Sequence, residues 1–223
     1  MLFRSTLKVT ADNAFPNFPT ATTPTLQNLH VNYGAPLDLN GTTQFVANLN
    51  ANNGLQGSSG AVVNTSTSPA ILHFNANNAT FGGTISGNVS LYKYANSTQL
   101  FTNNLTYSGS TNIIGNTIEL IDAGRLSGTS AVNVSYGGTF WMANIGNQDR
   151  SDRIPVGVPI TLKGGTLRFD GASSVISTQV VGAVSLAAGA NSVAANATAN
   201  GGAFLTLTSL SRSPGRSEEH TSE

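Results

Sequence analysis

The sequence predicts an all-β fold, best fitted by a parallel β-helix, with an antiparallel β-sandwich or jelly roll as the other architecture the same pattern allows. Three observations carry this. Short runs alternate apolar and polar residues with a period of two, the signature of strands with one buried face. Turn formers separate the runs at close intervals, and no stretch shows a capped helical repeat. Finally, 25 Asn, 26 Thr, 24 Ser and 24 Gly make up 99 of the 223 residues, while only 9% are charged. Stacked coils tolerate such a composition, because each coil takes its backbone hydrogen bonds from the next and aligned Asn, Ser and Thr can bond along ladders.

In chain order, the strand signals are Leu37-Asp38-Leu39, Ala70-Ile71-Leu72-His73-Phe74, Thr117-Ile118-Glu119-Leu120-Ile121 and Ala131-Val132-Asn133-Val134-Ser135-Tyr136. Pro159-Ile160-Thr161-Leu162, Thr166-Leu167-Arg168-Phe169 and Ala203-Phe204-Leu205-Thr206-Leu207 follow. Between them stand Asn40-Gly41, Gly82-Gly83, Gly137-Gly138, Gly164-Gly165, Asp170-Gly171 and Gly201-Gly202. The segment from Val180 to Ala199 is rich in Ala, but Gly182, Gly189 and its β-branched residues argue against a helix. The last eight residues, Arg216 to Glu223, break with everything before them. They resemble the translation of a short-read sequencing adapter and are set aside from the fold.

Several functions are disfavoured at once. Ten basic residues against ten acidic ones leave no electrostatic footprint for nucleic acid. No apolar run is long enough to span a bilayer as a helix. The absence of cysteine removes disulfide scaffolds and thiolate metal sites. Met1-Leu2-Phe3-Arg4 leads into polar residues, so no signal peptide is visible.

An internal duplication supports a repeat architecture. Thr43-Gln44-Phe45-Val46-Ala47 resembles Thr178-Gln179-Val180-Val181-Gly182 at an offset of 135, which is five coils of 27 residues. Ala70 to Phe74 resembles Ala203 to Leu207 at an offset of 133. The match predicts that Leu72, Phe74, Leu205 and Leu207 point into the core and that His73 and Thr206 point out.

Residues 37 to 109 are similar to the autotransporter-associated β-strand repeat of large bacterial passenger proteins. The likeness rests on Leu37-Asp38-Leu39-Asn40-Gly41 with Gln44, Val63-Asn64-Thr65, Phe81-Gly82-Gly83-Thr84-Ile85-Ser86-Gly87-Asn88, Leu91, Lys93, Thr98, Thr106-Tyr107-Ser108-Gly109 and Thr111. Tyr94, Ala95, Gln99 and Leu105 depart from the repeat's usual residues. Residues 131 to 215 resemble flanking coils through Gly137-Gly138-Thr139, Asp152-Arg153-Ile154, Gly164-Gly165-Thr166-Leu167 and Leu210-Ser211-Arg212-Ser213-Pro214-Gly215. The resemblance implies a right-handed parallel β-helix. It also implies an extracellular or outer-membrane-associated surface location, and a full-length protein with further repeats or a barrel. Residues 1–30 are then an irregular segment or truncated coil, 31–215 the β-helix passenger repeats, and 216–223 a non-native tail.

Candidate chemistry is sparse. The densest charge cluster is Asp149-Arg150-Ser151-Asp152-Arg153. It reads either as a carboxylate pair for acid–base work or cation binding, or as a solvated loop with local ion pairs. Glu119 and Asp122 stand three apart, which on a strand places them on opposite faces. His30 and His73 have no nearby partners that would make a metal site. Phe140-Trp141-Met142 offers a sugar-stacking Trp141, or a strand with Phe140 and Met142 inward and Trp141 partly exposed, or the reverse. The eight Asn-x-Ser/Thr sequons are about what this composition gives by chance.

The expectation is therefore a non-enzymatic structural or adhesive segment, a repetitive stalk with glycans or neighbouring cell surfaces as partners, needing no cofactor. Trp141, Asp149 and Asp152 are its candidate surface-contact residues. A carbohydrate-binding or carbohydrate-active β-helix is the alternative.

Overall fold

A computed structural model describes residues 5–213, apart from 16–17, 21–22, 27, 35, 52–53, 58, 76–77 and 95–96. The octapeptide 216–223 lies outside the described residues. The chain is a right-handed parallel β-helix, and among the described residues there is no helix. Its strand pairings are parallel except for the hairpin Phe18–Thr20 with Thr23–Thr25 and an isolated bridge between Asn32 and Ser59. This sets aside the sandwich and the jelly roll, whose sheets are antiparallel.

Each coil passes over up to three faces. The long face stacks eight strands, in chain order Thr43–Val46, Ala70–Phe74, Val89–Tyr94, Thr111–Ile114, Val132–Ser135, Ile160–Lys163, Ile176–Ala188 and Gly202–Arg212. The second face stacks Ala79–Phe81, Gln99–Phe101, Thr117–Leu120, Thr139–Ala143, Thr166–Asp170 and Ser192–Asn196. Shorter strands such as Leu37–Asp38, Ala61–Asn64 and Thr84–Gly87 form the third. Near the N-terminus, Leu7 and Lys8 pair with Leu37 and Asp38, and buried Gln44 bonds to the backbone of Ala11 and Ala14 at 2.7 and 2.9 Å. Part of the segment 1–30 thus lies along the first coil.

The register fixes which residues stack. One column of the long face runs Gln44, Leu72, Leu91, Thr111, Val132, Ile160 and Val184, all buried, and ends at the exposed Leu210. Its steps are 28, 19, 20, 21, 28, 24 and 26 residues, so the coil has no constant period of 27. Between the strands Thr43–Val46 and Ile176–Ala188 there are six coils, not five.

The inward and outward assignments hold. Leu72 and Phe74 are buried, Leu205 and Leu207 are half-buried against the core, His73 faces out and Thr206 is exposed. The equivalence behind them does not hold, because Leu72 stacks toward Leu210 whereas Leu205 lies on Gln179. The cause is a corner at Gly182, where burial parity shifts between Val181 and Val184. A Cβ there would lie 2.4 Å from the Val158 carbonyl oxygen. The two copies therefore match in composition but stack in different columns.

Apolar columns fill the interior. On the second face Phe81, Phe101, Leu120, Met142 and Phe169 stack in register, all fully buried. Phe101 meets both Phe74 and Phe81 edge-on at 6.4 Å between centroids, a favoured aromatic geometry. Thr111 can stand in the interior because its hydroxyl bonds Tyr107 at 2.5 Å and Thr129 at 2.9 Å.

Candidate functional site

The long face turns one column of side chains outward along its length: Phe45, His73, Tyr92, Asn112, Asn133, Thr161, Ser185 and Ser211. Identical strand positions from successive coils must lie one above another in a parallel solenoid, about 4.8 Å apart. The column therefore divides by chemistry into an aromatic half and an amide–hydroxyl half. In the aromatic half Phe45 and His73 are stacked at 3.9 Å and 4°. His73 also lies 4.9 Å from the ring of Tyr92 and 3.0 Å, Nδ1 to hydroxyl, from Tyr94. Burial lowers the His73 pKa below its usual value, which favours the neutral ring.

In the polar half the Asn133 amide donates to Asn112 Oδ1 at 2.9 Å, and the Asn112 amide donates to the Leu91 carbonyl at 3.2 Å and to Ser110 Oγ at 2.9 Å. Beside it runs a second outward column, Tyr94, Ile114, Ser135 and Lys163. The two columns border a groove of about 290 Å³.

On the second face the outward column is Thr80, Leu100, Glu119, Trp141, Arg168 and Ala194. Phe140 and Met142 are buried and Trp141 is the partly exposed member of its triplet. Its ring is no open platform, because the Arg168 guanidinium lies over it at 4.1 Å. Arg168 in turn binds Asp170 at 2.6 and 2.9 Å. Glu119, one coil away beneath Trp141, is only 6% exposed, and burial pushes its carboxyl up to about 7.

The charge cluster lies in the connection 144–159, and the structure separates its members by role. Arg153 is fully buried. It donates to the carbonyls of Asp122, Gly124, Ala143 and Gln148 and to Asn144 Oδ1, over 2.7–3.2 Å. Burial lowers its pKa to about 10, so it remains a cation at neutral pH. A wholly solvated loop is thus not what forms: one of its arginines is the buried pin that holds the connection to the coil.

Asp149 accepts from the Asn144 amide, and Asp152 binds Arg125 and Arg150. Burial pushes the Asp152 carboxyl up, but the hydrogen bonds and charges of Arg150 and Arg125 outweigh it and hold the group below the usual carboxylate range. Both acids are therefore tied to partners within or beside the loop.

Of the three contact residues expected from sequence, Trp141 faces out under Arg168, while Asp149 and Asp152 belong to the pinned loop. The aromatic row and the groove were not singled out in advance. The signal for the aromatic row was the alternation Val89-Ser90-Leu91-Tyr92-Lys93-Tyr94, which places both tyrosines on one face. Among the described residues no group of three or more His, Asp or Glu is placed to hold a metal ion, and no helix is long and apolar enough to cross a membrane. Comparison with known families, curated proteins and solved structures gave no match.

Proposed function

We propose that this chain is a structural, adhesive segment, a repetitive stalk of a secreted or surface-displayed bacterial passenger protein that acts by shape and repetition rather than by turnover. The observation that carries the reading is the long face. Seven successive pairings give an extended outward surface on which the same positions recur coil after coil. Recurrent weak contacts on one rigid body add through effective concentration, the requirement for adhesion to a repetitive glycan or cell surface. The motif order between Leu37 and Thr111 supports the bacterial surface setting.

The test is adhesion of beads coated with the protein to bacterial and host cells. Beads should adhere in proportion to coating density, and Asp149→Asn with Asp152→Asn should leave adhesion intact. Hydrolysis or lyase cleavage of a polysaccharide that vanishes in this double variant would replace the stalk reading with an enzymatic one.

A further inference from the structure

The groove on the long face has polar groups that the fold does not use. Asn133 spends its amide N–H on Asn112, but its Oδ1 bonds to no described residue. The side-chain hydroxyls of Thr161 and Ser135 and the ammonium of Lys163 likewise have no partner among the described residues. No acid lines the groove, so Lys163 is its only charged side chain. Uncommitted donors and acceptors therefore lie beside one unneutralised cation, in a depression that runs along the solenoid axis.

We infer that this groove, floored by Asn112, Asn133 and Thr161 and edged by Ile114, Ser135 and Lys163, binds an extended acidic polysaccharide, with a uronate carboxylate at Lys163. The register supplies the match. Asn112, Asn133 and Thr161 are spaced by the rung repeat, about 4.8 Å per step. A β-1,4-linked glycan in its extended form advances by a similar distance per sugar, so successive rings meet equivalent rungs. Hydroxyls of the sugar can donate to Asn133 Oδ1 and accept from Thr161 and Ser135. Lys163 supplies the charge-assisted contact that separates a uronate from a neutral hexose. Tyr92 and Tyr94 stand one rung beyond Asn112 and Ile114 in the same two columns.

This rests on the adhesive reading and gives its contact surface a ligand class, and the two can fail separately. The experiment is calorimetric titration of the protein with β-1,4-oligomannuronate hexamer, with β-1,4-mannohexaose as the neutral chain of the same backbone. Oligomannuronate should bind, more weakly as salt rises, and mannohexaose should bind about tenfold less tightly. Lys163→Gln should remove that preference, and Asn133→Ala with Thr161→Val should weaken both ligands severalfold. Lys163 and Thr161 make no side-chain hydrogen bond to a described residue, so thermal unfolding of Lys163→Gln and of Thr161→Val should match the parent, whereas Asn133→Ala gives up the bond to Asn112 and should melt slightly lower. Chemical-shift mapping on the unaltered protein gives a second readout, with changes expected at 112–114, 133–135 and 161–163. Absence of oligomannuronate binding at millimolar ligand, equal affinity for the neutral chain, or shifts located elsewhere would each overturn the assignment. Bead adhesion that survives in the groove variants would overturn the groove alone and leave the stalk standing.

Discussion

Lys93 carries its ammonium into the solenoid interior, in register with Phe74 on one side and Ile113 on the other, and donates to the Tyr94 carbonyl. Burial without a carboxylate lowers its pKa to about 8. Between about 8 and 10.5 the unfolded chain then holds more protons than the folded one, so stability should rise with pH across that window. Lys93→Met should stabilise the protein at pH 7 by about 1–3 kcal/mol and flatten that slope, as urea unfolding at pH 7 and 10 would show. Glu119 has the opposite sign. With its carboxyl raised from 4.5 to about 7, the folded state binds the proton more tightly, and stability should fall as pH rises through that range. Glu119→Gln should abolish that fall.

Phe74→Ala should cost about 3–5 kcal/mol. A bare outward position at His73 would leave His73→Ala within about 0.5 kcal/mol. The stack with Phe45 and the contact with Tyr94 raise the expected cost to about 0.5–1.5 kcal/mol. Alternation in the sequence told which way each of these side chains points. It did not tell that a lysine would occupy an inward site, because residue type and parity give opposite answers at Lys93, and parity won through one carbonyl.

At the scale of elements, strands were legible and connections were not. The alternating runs at Ala70 to Phe74, Thr117 to Ile121 and Thr166 to Phe169 correspond to strands because their apolar positions need one common interior. The spacing between runs was misleading, since residues inserted at corners lengthen a coil without disturbing the stacked positions. The connection 144–159 is one such insertion, and Arg153 holds it. Arg153→Ala should cost about 3–5 kcal/mol in denaturant unfolding, because several buried carbonyls lose their only charged donor. Arg153→Lys should rescue little, since an ammonium cannot reproduce the planar fork. Asp152→Asn should cost less than about 1 kcal/mol, its ion pairs being exposed. Nothing in the pentapeptide distinguishes Arg150 from Arg153. Their different fates follow from carbonyls contributed 5 to 31 residues away.

For the whole molecule, the fold class followed from composition and punctuation, because a stack of coils tolerates low charge and abundant small polar residues. The groove did not follow, since it joins residues from three strands spaced by unequal coils. A solenoid's stability is a sum of coils and nearest-neighbour interfaces, so protection should vary along its length. Hydrogen exchange should be slowest from Val89 to Ala143, where coils are covered on both sides. It should be fastest in Gly202–Arg212, whose strand pairs on one side only among the described residues and whose Leu210 is 59% exposed.

The parallel stacking also sets how the molecule would bear load. The first and last strands of the long face, Thr43–Val46 and Gly202–Arg212, lie at opposite ends of the sheet. Tension between them acts across the rungs, and each coil is attached to the rest mainly through its neighbours. Pulled in this way, the protein should peel coil by coil. Each event would release the length of one turn, about 6–10 nm for coils of 19 to 28 residues. A tether of this kind gives way in steps, dissipating a sudden pull while the coils still closed keep their outward face in contact.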